Sequence, residues 1–296
     1  MRPKNLKTKI FLDSGDPAET KEALDLLGFL DGQTTNPTLI SKIPEAQARI
    51  EKGEKLSQEE FLNFYQRIAR EISQLIPQGS VSLEVYADKN TKAKEMFSQA
   101  KELFSWISNA HIKLPTTSEG LEAAQLAIKA GLRVNMTLCF SQEQAAAVYS
   151  ATKGAKKGQV YLSPFVGRLD DRGENGMALV KNIIEMYKEG DGHIEVLTAS
   201  VRKLDHLLYA IYLGSDIVTA PLKVLKEWKE KGLILPDKDF HYEAFDLKSI
   251  TYQKLDLNLP WRKFNLYHPL TEIGLEKFAQ DWQAMVHPVK YSLKRI

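Results

Sequence analysis

Apolar and polar positions recur along this chain in one repeated order: a short β-rich run, then an amphipathic stretch of helical period, closed by a Gly, Asn or Pro turn. The pattern starts at Lys7 and predicts eight strands, over residues 8–12, 30–33, 81–86, 111–114, 133–138, 160–163, 194–198 and 216–219. A helix is predicted after each, with cores at 18–27, 58–75, 91–106, 119–129, 142–149, 176–188, 202–212 and 222–228. Crossovers of this length join parallel neighbours, and eight such units fit a closed barrel better than an open doubly wound sheet. Two segments break the rhythm. Residues 41–58, with Ile43-Pro44 and a charged run from Glu51 to Lys55, are polar and predict a surface excursion on the second unit. From residue 231 the alternation stops, and Trp261, Phe264, Tyr267 and a helical stretch near 275–285 predict a C-terminal extension that packs on the barrel or on a neighbouring subunit. The expected fold is therefore α/β, a single (β/α)8 barrel over 1–230 followed by an extension over 231–296.

Within the strands, polar residues occupy one parity. Ser82, Glu84 and Tyr86 alternate against Val81, Leu83 and Val85, and His111 and Lys113 alternate against Ile112 and Leu114. In a barrel the aliphatic face lies under the helices, which turns Asp13, Glu84, Lys113, Asn135, Thr137 and Ser163 inward, near the C-terminal ends of their strands where barrel enzymes carry their chemistry. Each has an ordinary alternative: Asp13 as a strand-end cap, Asn36 before Pro37 as a turn, Thr137 as a β-former. Their agreement with one geometry favours function. A lysine facing inward beside two carboxylates suits Schiff-base chemistry, which needs proton transfers at nitrogen and at a substrate hydroxyl.

A second group follows the sixth and seventh strands. Ser200 is placed as an N-cap of the next helix, so its hydroxyl, the free helix amides, Arg202 and Arg168 would converge on an anion. The competing expectation is that either arginine pairs on the surface with Asp170, Asp171 or Asp205.

Composition narrows the class. With 43% hydrophobic and 26% charged residues among 296, the chain buries a large core. Forty basic side chains against 38 acidic give a net charge of +2, too balanced for a nucleic-acid field. The single cysteine, Cys139, allows no internal disulfide, and no apolar run has the length of a membrane span or an h-region after Met1. A cytoplasmic location is expected. Lys153-Gly154-Ala155-Lys156-Lys157-Gly158 lacks the phosphate-loop spacing, and the six histidines show no zinc spacing, so neither a metal nor a cofactor is expected.

Taken in order, Leu12-Asp13, Asp31-Gly32-Gln33-Thr34-Thr35-Asn36-Pro37, Ser82-Leu83-Glu84-Val85, Ile112-Lys113-Leu114-Pro115, Asn135-Met136-Thr137-Leu138, Ser163-Pro164-Phe165-Val166-Gly167-Arg168 and Ala199-Ser200-Val201-Arg202 resemble the transaldolase family. The likeness runs from about Ile10 to about Trp228; between Glu230 and Pro269 none is clear, while Gly274 to Phe278 and Asp281-Trp282 look like the terminal helix of shorter microbial members. The resemblance implies a metal-free class I aldol transfer. In it Lys113 forms the Schiff base, Asp13 takes the proton of the C4 hydroxyl, and Glu84 and Thr137 hold the water that shuttles protons. It further implies that Asn36, Asn135 and Ser163 bind the dihydroxyacetone portion, and Arg168, Ser200 and Arg202 the phosphate. The expected partners are sugar phosphates, with no nucleic acid or membrane, and the chain is a possible homo-oligomer. Two rivals stand beside this: a fructose-6-phosphate aldolase that releases dihydroxyacetone, and a silent sugar-phosphate-binding barrel. Phe165 and Glu84 favour the transferase, since the resembling aldolases carry a tyrosine and a glutamine at these places.

Overall fold

The computed structural model describes residues 2–287. Eight parallel strands follow one another around a ring: β1 (Lys9–Asp13), β2 (Gly32–Thr34), β3 (Ser80–Glu84), β4 (Ala110–Pro115), β5 (Val134–Cys139), β6 (Val160–Pro164), β7 (Ile194–Thr198) and β8 (Ile217–Ala220). The ring closes where β8 pairs with β1, Ile10 opposite Val218, and no edge is left for another chain to extend. The helices are α1 (Pro17–Leu27), α2 (Pro37–Ile40), α3 (Pro44–Glu51), α4 (Gln58–Leu75), α5 (Ala93–Trp106), α6 (Ser118–Lys129), α7 (Gln142–Ala151), α8 (Val166–Asp170), α9 (Gly176–Tyr187), α10 (Leu204–Tyr212), α11 (Leu222–Glu230) and α12 (Pro269–Met285). This is the (β/α)8 barrel that the alternation predicts.

Several helices start where side chains satisfy the first free amides. The Asp16 carboxylate accepts from the Ala18 amide at 2.8 Å, and Ser57 and Glu60 form a reciprocal capping box at the head of α4. Beneath the helices, Ile10, Leu12, Leu83, Ile112, Leu114, Val134, Met136 and Leu162 are fully buried on the outer face of the sheet. Each such side chain contributes about 1.5 to 3 kcal/mol of burial, so a one-residue register slip that exchanged the two faces is strongly disfavoured. Where α6 starts, a Cβ on Gly120 would stand 1.9 Å from the Pro115 carbonyl oxygen, so only glycine lets this helix seat against the end of the strand that carries Lys113.

Two segments differ from expectation. The 41–58 excursion holds a helix, α3, that its polarity concealed: Pro44 opens it, and the apolar pair Ile43 and Ala46 is buried. The excursion then joins the far end of the chain, the Leu56 amide donating to the Met285 carbonyl and the His287 amide to the Leu56 carbonyl, each at 2.9 Å. The extension lies on its own barrel. Trp261 and Phe264 are buried there, while Tyr267 remains 67% exposed. Its helix begins at Pro269, six residues before the predicted 275, because His268 caps the Leu270 amide and proline suits a first turn. No described helix is long and apolar enough to cross a membrane.

Candidate active site

Register sets which side chains meet at the barrel mouth. Glu84 lies opposite Lys113 across β3 and β4, and Lys113 opposite Asn135 across β4 and β5, so three polar side chains share one level. Lys113 Nζ stands 2.7 Å from Glu84 Oε2 and donates to the Thr35 carbonyl at 2.9 Å. The two side chains are only 4% and 5% exposed, which removes the solvent that weakens such a pair at a surface. Asp13, half-buried at the end of β1, accepts from the Thr34 hydroxyl at 2.7 Å, and Thr34 bonds in turn with Thr219 at 2.7 Å. Burial raises the pKa of both carboxyls above the ordinary value; the Thr34 bond and Lys113 oppose this for Asp13, and Lys113 opposes it for Glu84.

Beside this pair runs a neutral ladder. The Ser163 hydroxyl donates to Asn135 Oδ1 at 2.7 Å, and Asn135 Nδ2 donates to Ser82 Oγ at 3.1 Å. Two residues above Asn135 on the same face, the fully buried Thr137 hydroxyl has no hydrogen-bond partner among the described residues. Leaving such a group unpaired costs about 1 to 3 kcal/mol, a cost that a bound hydroxyl or water would remove. Asn36 takes the turn role weighed for it: its Oδ1 accepts the Leu39 amide at 2.9 Å and caps α2.

The anion group departs from expectation at one point. Ser200 is not a helix cap, since α10 starts at Leu204 with Lys203 before it and no side-chain cap, and the free helix amides expected there are displaced with it. Ser200 sits instead at φ 58°, in the left-handed region. Tertiary contact overrides the local signal: the Gly167 amide donates to the Ser200 carbonyl at 3.0 Å, and a Cβ on Gly167 would fall 2.4 Å from that oxygen and 2.5 Å from Arg202 Cγ. The two loops interlock through a residue that has to be glycine. Arg202 meets the surface partner offered as its alternative, Asp171, at 3.0 Å, both side chains more than half exposed. Arg168 does not. Its guanidinium lies between two rings, 5.3 Å from the Phe165 centroid and 5.2 Å from that of Phe278, and desolvation lowers its pKa.

Phe278 belongs to a part of the site that the sequence reading missed. Helix α12 crosses the mouth, its Phe278 ring 5.9 Å from Lys113 Nζ and its Gly274 so close to Arg168 that a Cβ would meet Nη1 at 2.6 Å. It is pinned at one end by Thr271, whose hydroxyl donates to the Leu138 carbonyl at 3.0 Å. Leu138 presents that carbonyl from a left-handed φ of 60°, at an irregularity where the β5–β6 register shifts. At the other end Trp282 packs against Phe61, Tyr65 and Tyr86, and Asp281 accepts from Thr38. The apolar spacing Leu275, Phe278, Ala279, Trp282 announces a buried helix face, but not what it covers. Under it, the space bounded by Glu84, Pro115, Leu275 and Phe278 amounts to about 10 Å³.

Comparison with known proteins gives this site a lineage. Residues 10–289 match the family described as transaldolase/fructose-6-phosphate aldolase. A protein named probable transaldolase from Dehalococcoides mccartyi is 34% identical over 94% of this chain and 99% of its own length. Probable transaldolases from Anaeromyxobacter dehalogenans (33% identical, 95% of this chain and 100% of the relative) and Brucella ovis (35%, 93% and 96%) are similar over the same extent. With the likeness running through the barrel and α12 together, the chain belongs to the transaldolase/fructose-6-phosphate aldolase family.

Proposed function

We propose that the chain is a transaldolase that moves a dihydroxyacetone unit from a ketose phosphate, such as fructose 6-phosphate or sedoheptulose 7-phosphate, to an aldose phosphate through a Schiff base on Lys113. The observation that carries this is the sealed Lys113 amine, held 2.7 Å from Glu84. An amine meant only to bind an anion gains nothing from burial against a carboxylate.

In this reading Lys113 Nζ, its proton taken by Glu84, attacks the C2 carbonyl to form a carbinolamine, which loses water to give the protonated imine. Asp13 accepts the C4 hydroxyl proton while the C3–C4 bond breaks. The electron pair moves into the imine, leaving an enamine, and the aldose phosphate departs as an aldehyde. The enamine C3 then attacks the acceptor aldehyde, Asp13 returns its proton to the new hydroxyl, and water releases the product and restores the amine. The unpaired Thr137 hydroxyl, facing the same interior as Glu84, suits it to hold that water. Asn36, Asn135 and Ser163 bind the hydroxyls of the transferred unit. Arg168, Ser200 and Arg202 bind the phosphate, which displaces Asp171 from Arg202 in exchange for a stronger, charge-assisted contact.

Phe165 and Phe278 flank this space with rings that offer no proton, which favours an enamine that waits for its acceptor over one that is protonated and released. The test is reduction with borohydride in the presence of fructose 6-phosphate, followed by peptide mass analysis. A dihydroxyacetone-derived mass is expected on the peptide bearing Lys113, together with fast transfer to erythrose 4-phosphate and slow release without it. Release as fast without acceptor as transfer with one would make the protein an aldolase; no adduct would end the Schiff-base reading.

A further inference from the structure

One buried side chain holds the loop of Ser200 and Arg202 and has no part in the chemistry above. His206, in the first turn of α10, is 1% exposed. Its Nδ1 accepts the Arg202 backbone amide at 3.3 Å, and its Nε2 lies 2.9 Å from Asp170 Oδ2. These partners assign the tautomer: a nitrogen that accepts an N–H carries no hydrogen, so the ring hydrogen sits on Nε2, which lies close to Asp170 Oδ2 without an aligned hydrogen bond to it. Asp170 Oδ1 accepts the Gly176 amide at 2.9 Å, at the head of α9. Two hydrogen bonds and one close contact thus link the loop after β7 to the loop after β6 and to α9. The loop after β7 also meets Gly167 at Ser200 and Arg202.

That loop needs a tether. Between Ala199 and Lys203 it forms no ladder or helix, Ser200 is left-handed, and Arg202 ends in a guanidinium that is half exposed. Anion recognition loses affinity when its donors must be ordered at the moment of binding. We propose that His206 is a positioning residue for a phosphate monoester: through Nδ1 it sets the backbone of Ser200 and Arg202 against Arg168 before the ligand arrives. The inference rests on the reading above that phosphate binds between these loops.

Three variants separate the two contacts of the ring. His206→Asn places an amide oxygen where Nδ1 stands and retains the acceptor for Arg202. His206→Gln reaches where Nε2 stands and retains Asp170 only. His206→Phe fills the space with neither. Inorganic phosphate binding by calorimetry and kcat/KM on fructose 6-phosphate and on unphosphorylated fructose are the readouts. Phosphate affinity is expected to fall about tenfold in Gln and Phe, the 1.4 kcal/mol of one hydrogen bond, and to stay within about threefold in Asn. The loss should appear in KM for the phosphorylated sugar, with kcat and the fructose reaction unchanged. Equal losses in all three variants, no loss in any, or retention in Gln with loss in Asn would overturn the proposal. Should a variant not fold, amide exchange at Arg202 in the unaltered protein decides: slow exchange is expected, and exchange at the rate of an open loop overturns it. A wild-type protein that turns over fructose 6-phosphate but keeps its phosphate affinity in His206→Gln would refute the positioning role alone. One that binds no phosphate at all would refute the phosphate site with it.

Discussion

Two lysine–glutamate pairs stand inside this barrel, one at each end. At the floor Lys9 of β1 meets Glu195 of β7 at 2.8 Å; at the mouth Lys113 meets Glu84 at 2.7 Å. The lengths are alike and the surroundings are not. Lys9 is 42% exposed, and its neighbours have committed their hydrogen bonds: His111 bonds Ser80 through one ring nitrogen and the Gly158 carbonyl through the other while stacking on Tyr161, and Arg133 donates to the carbonyls of Ala110 and Ser108. Only Glu195 Oε2 is left over on the floor among the described residues. At the mouth the amine is sealed, and among the described residues the Thr137 hydroxyl is unpaired and Arg168 has rings for neighbours and no carboxylate within salt-bridge reach. Charge in a barrel interior therefore does not by itself tell the two ends apart; the mouth differs in how much bonding capacity it leaves uncommitted.

The sharpest way to break this contrast is to remove each lysine. Lys113→Ala should abolish the borohydride-stable adduct and lower turnover by roughly 10⁴-fold or more, whereas Lys9→Ala should leave kcat within about threefold and lower only the melting temperature. Similar losses from both would erase the distinction. Next comes Asp13→Asn, expected to cut turnover by about 10² to 10⁴ as a general base is lost. The same change should stabilise the fold by about 0.5 to 2 kcal/mol. Burial raises the pKa of Asp13, so the native state binds that proton more tightly than the unfolded chain, and stability falls as pH rises through the raised value. Asparagine never incurs that loss, and thermal melts at neutral pH should show it; a lower melting temperature would mean that the Thr34 bond outweighs desolvation.

Arginines give a third, smaller contrast. Arg168→Ala should cost about 1.5 to 3 kcal/mol in kcat/KM on fructose 6-phosphate, tenfold to more than a hundredfold, and little on fructose, while Arg133→Ala should change both equally or neither. The last lies wholly in the floor. Burial pushes the His111 pKa from its usual 6.5 down to about 3, so the unfolded chain takes up a proton that the native state refuses. Stability is complete above 6.5 and is lost as pH falls toward 3, by about 2 kcal/mol between pH 6.5 and 5. Urea melts across that range should flatten in His111→Gln, and an unchanged slope would assign the acid sensitivity to other groups.

How far the sequence reaches differs between the two ends as well. The strands were legible because parity shows in the chain itself: Ile112 and Leu114 against Lys113 needs no tertiary knowledge. The start of α4 was legible because Ser57 and Glu60 form a local signature. Ser200 carried an equally local signature for a helix start, and it misled, because the Gly167 contact that turns its backbone comes from another loop. Leu138 gives no hint of its left-handed φ, since leucine is not a residue that seeks one. Phe278 and Gly274 lay on a helix whose apolar face was readable, but the lysine beneath it is far off in sequence, and no periodicity names a distant partner.

Helix α12 has one more consequence, in time. It is translated after all eight strands, so a barrel that assembles before α12 docks holds Lys113 without its cover. Amines react with whatever carbonyl compound reaches them, and at that stage nothing selects among sugars, aldehydes and keto acids. The completed helix does more than finish a wall. In the proposed Schiff-base reading it ends the period in which the Lys113 amine is open to chemical damage, and it ties the onset of activity to the onset of protection.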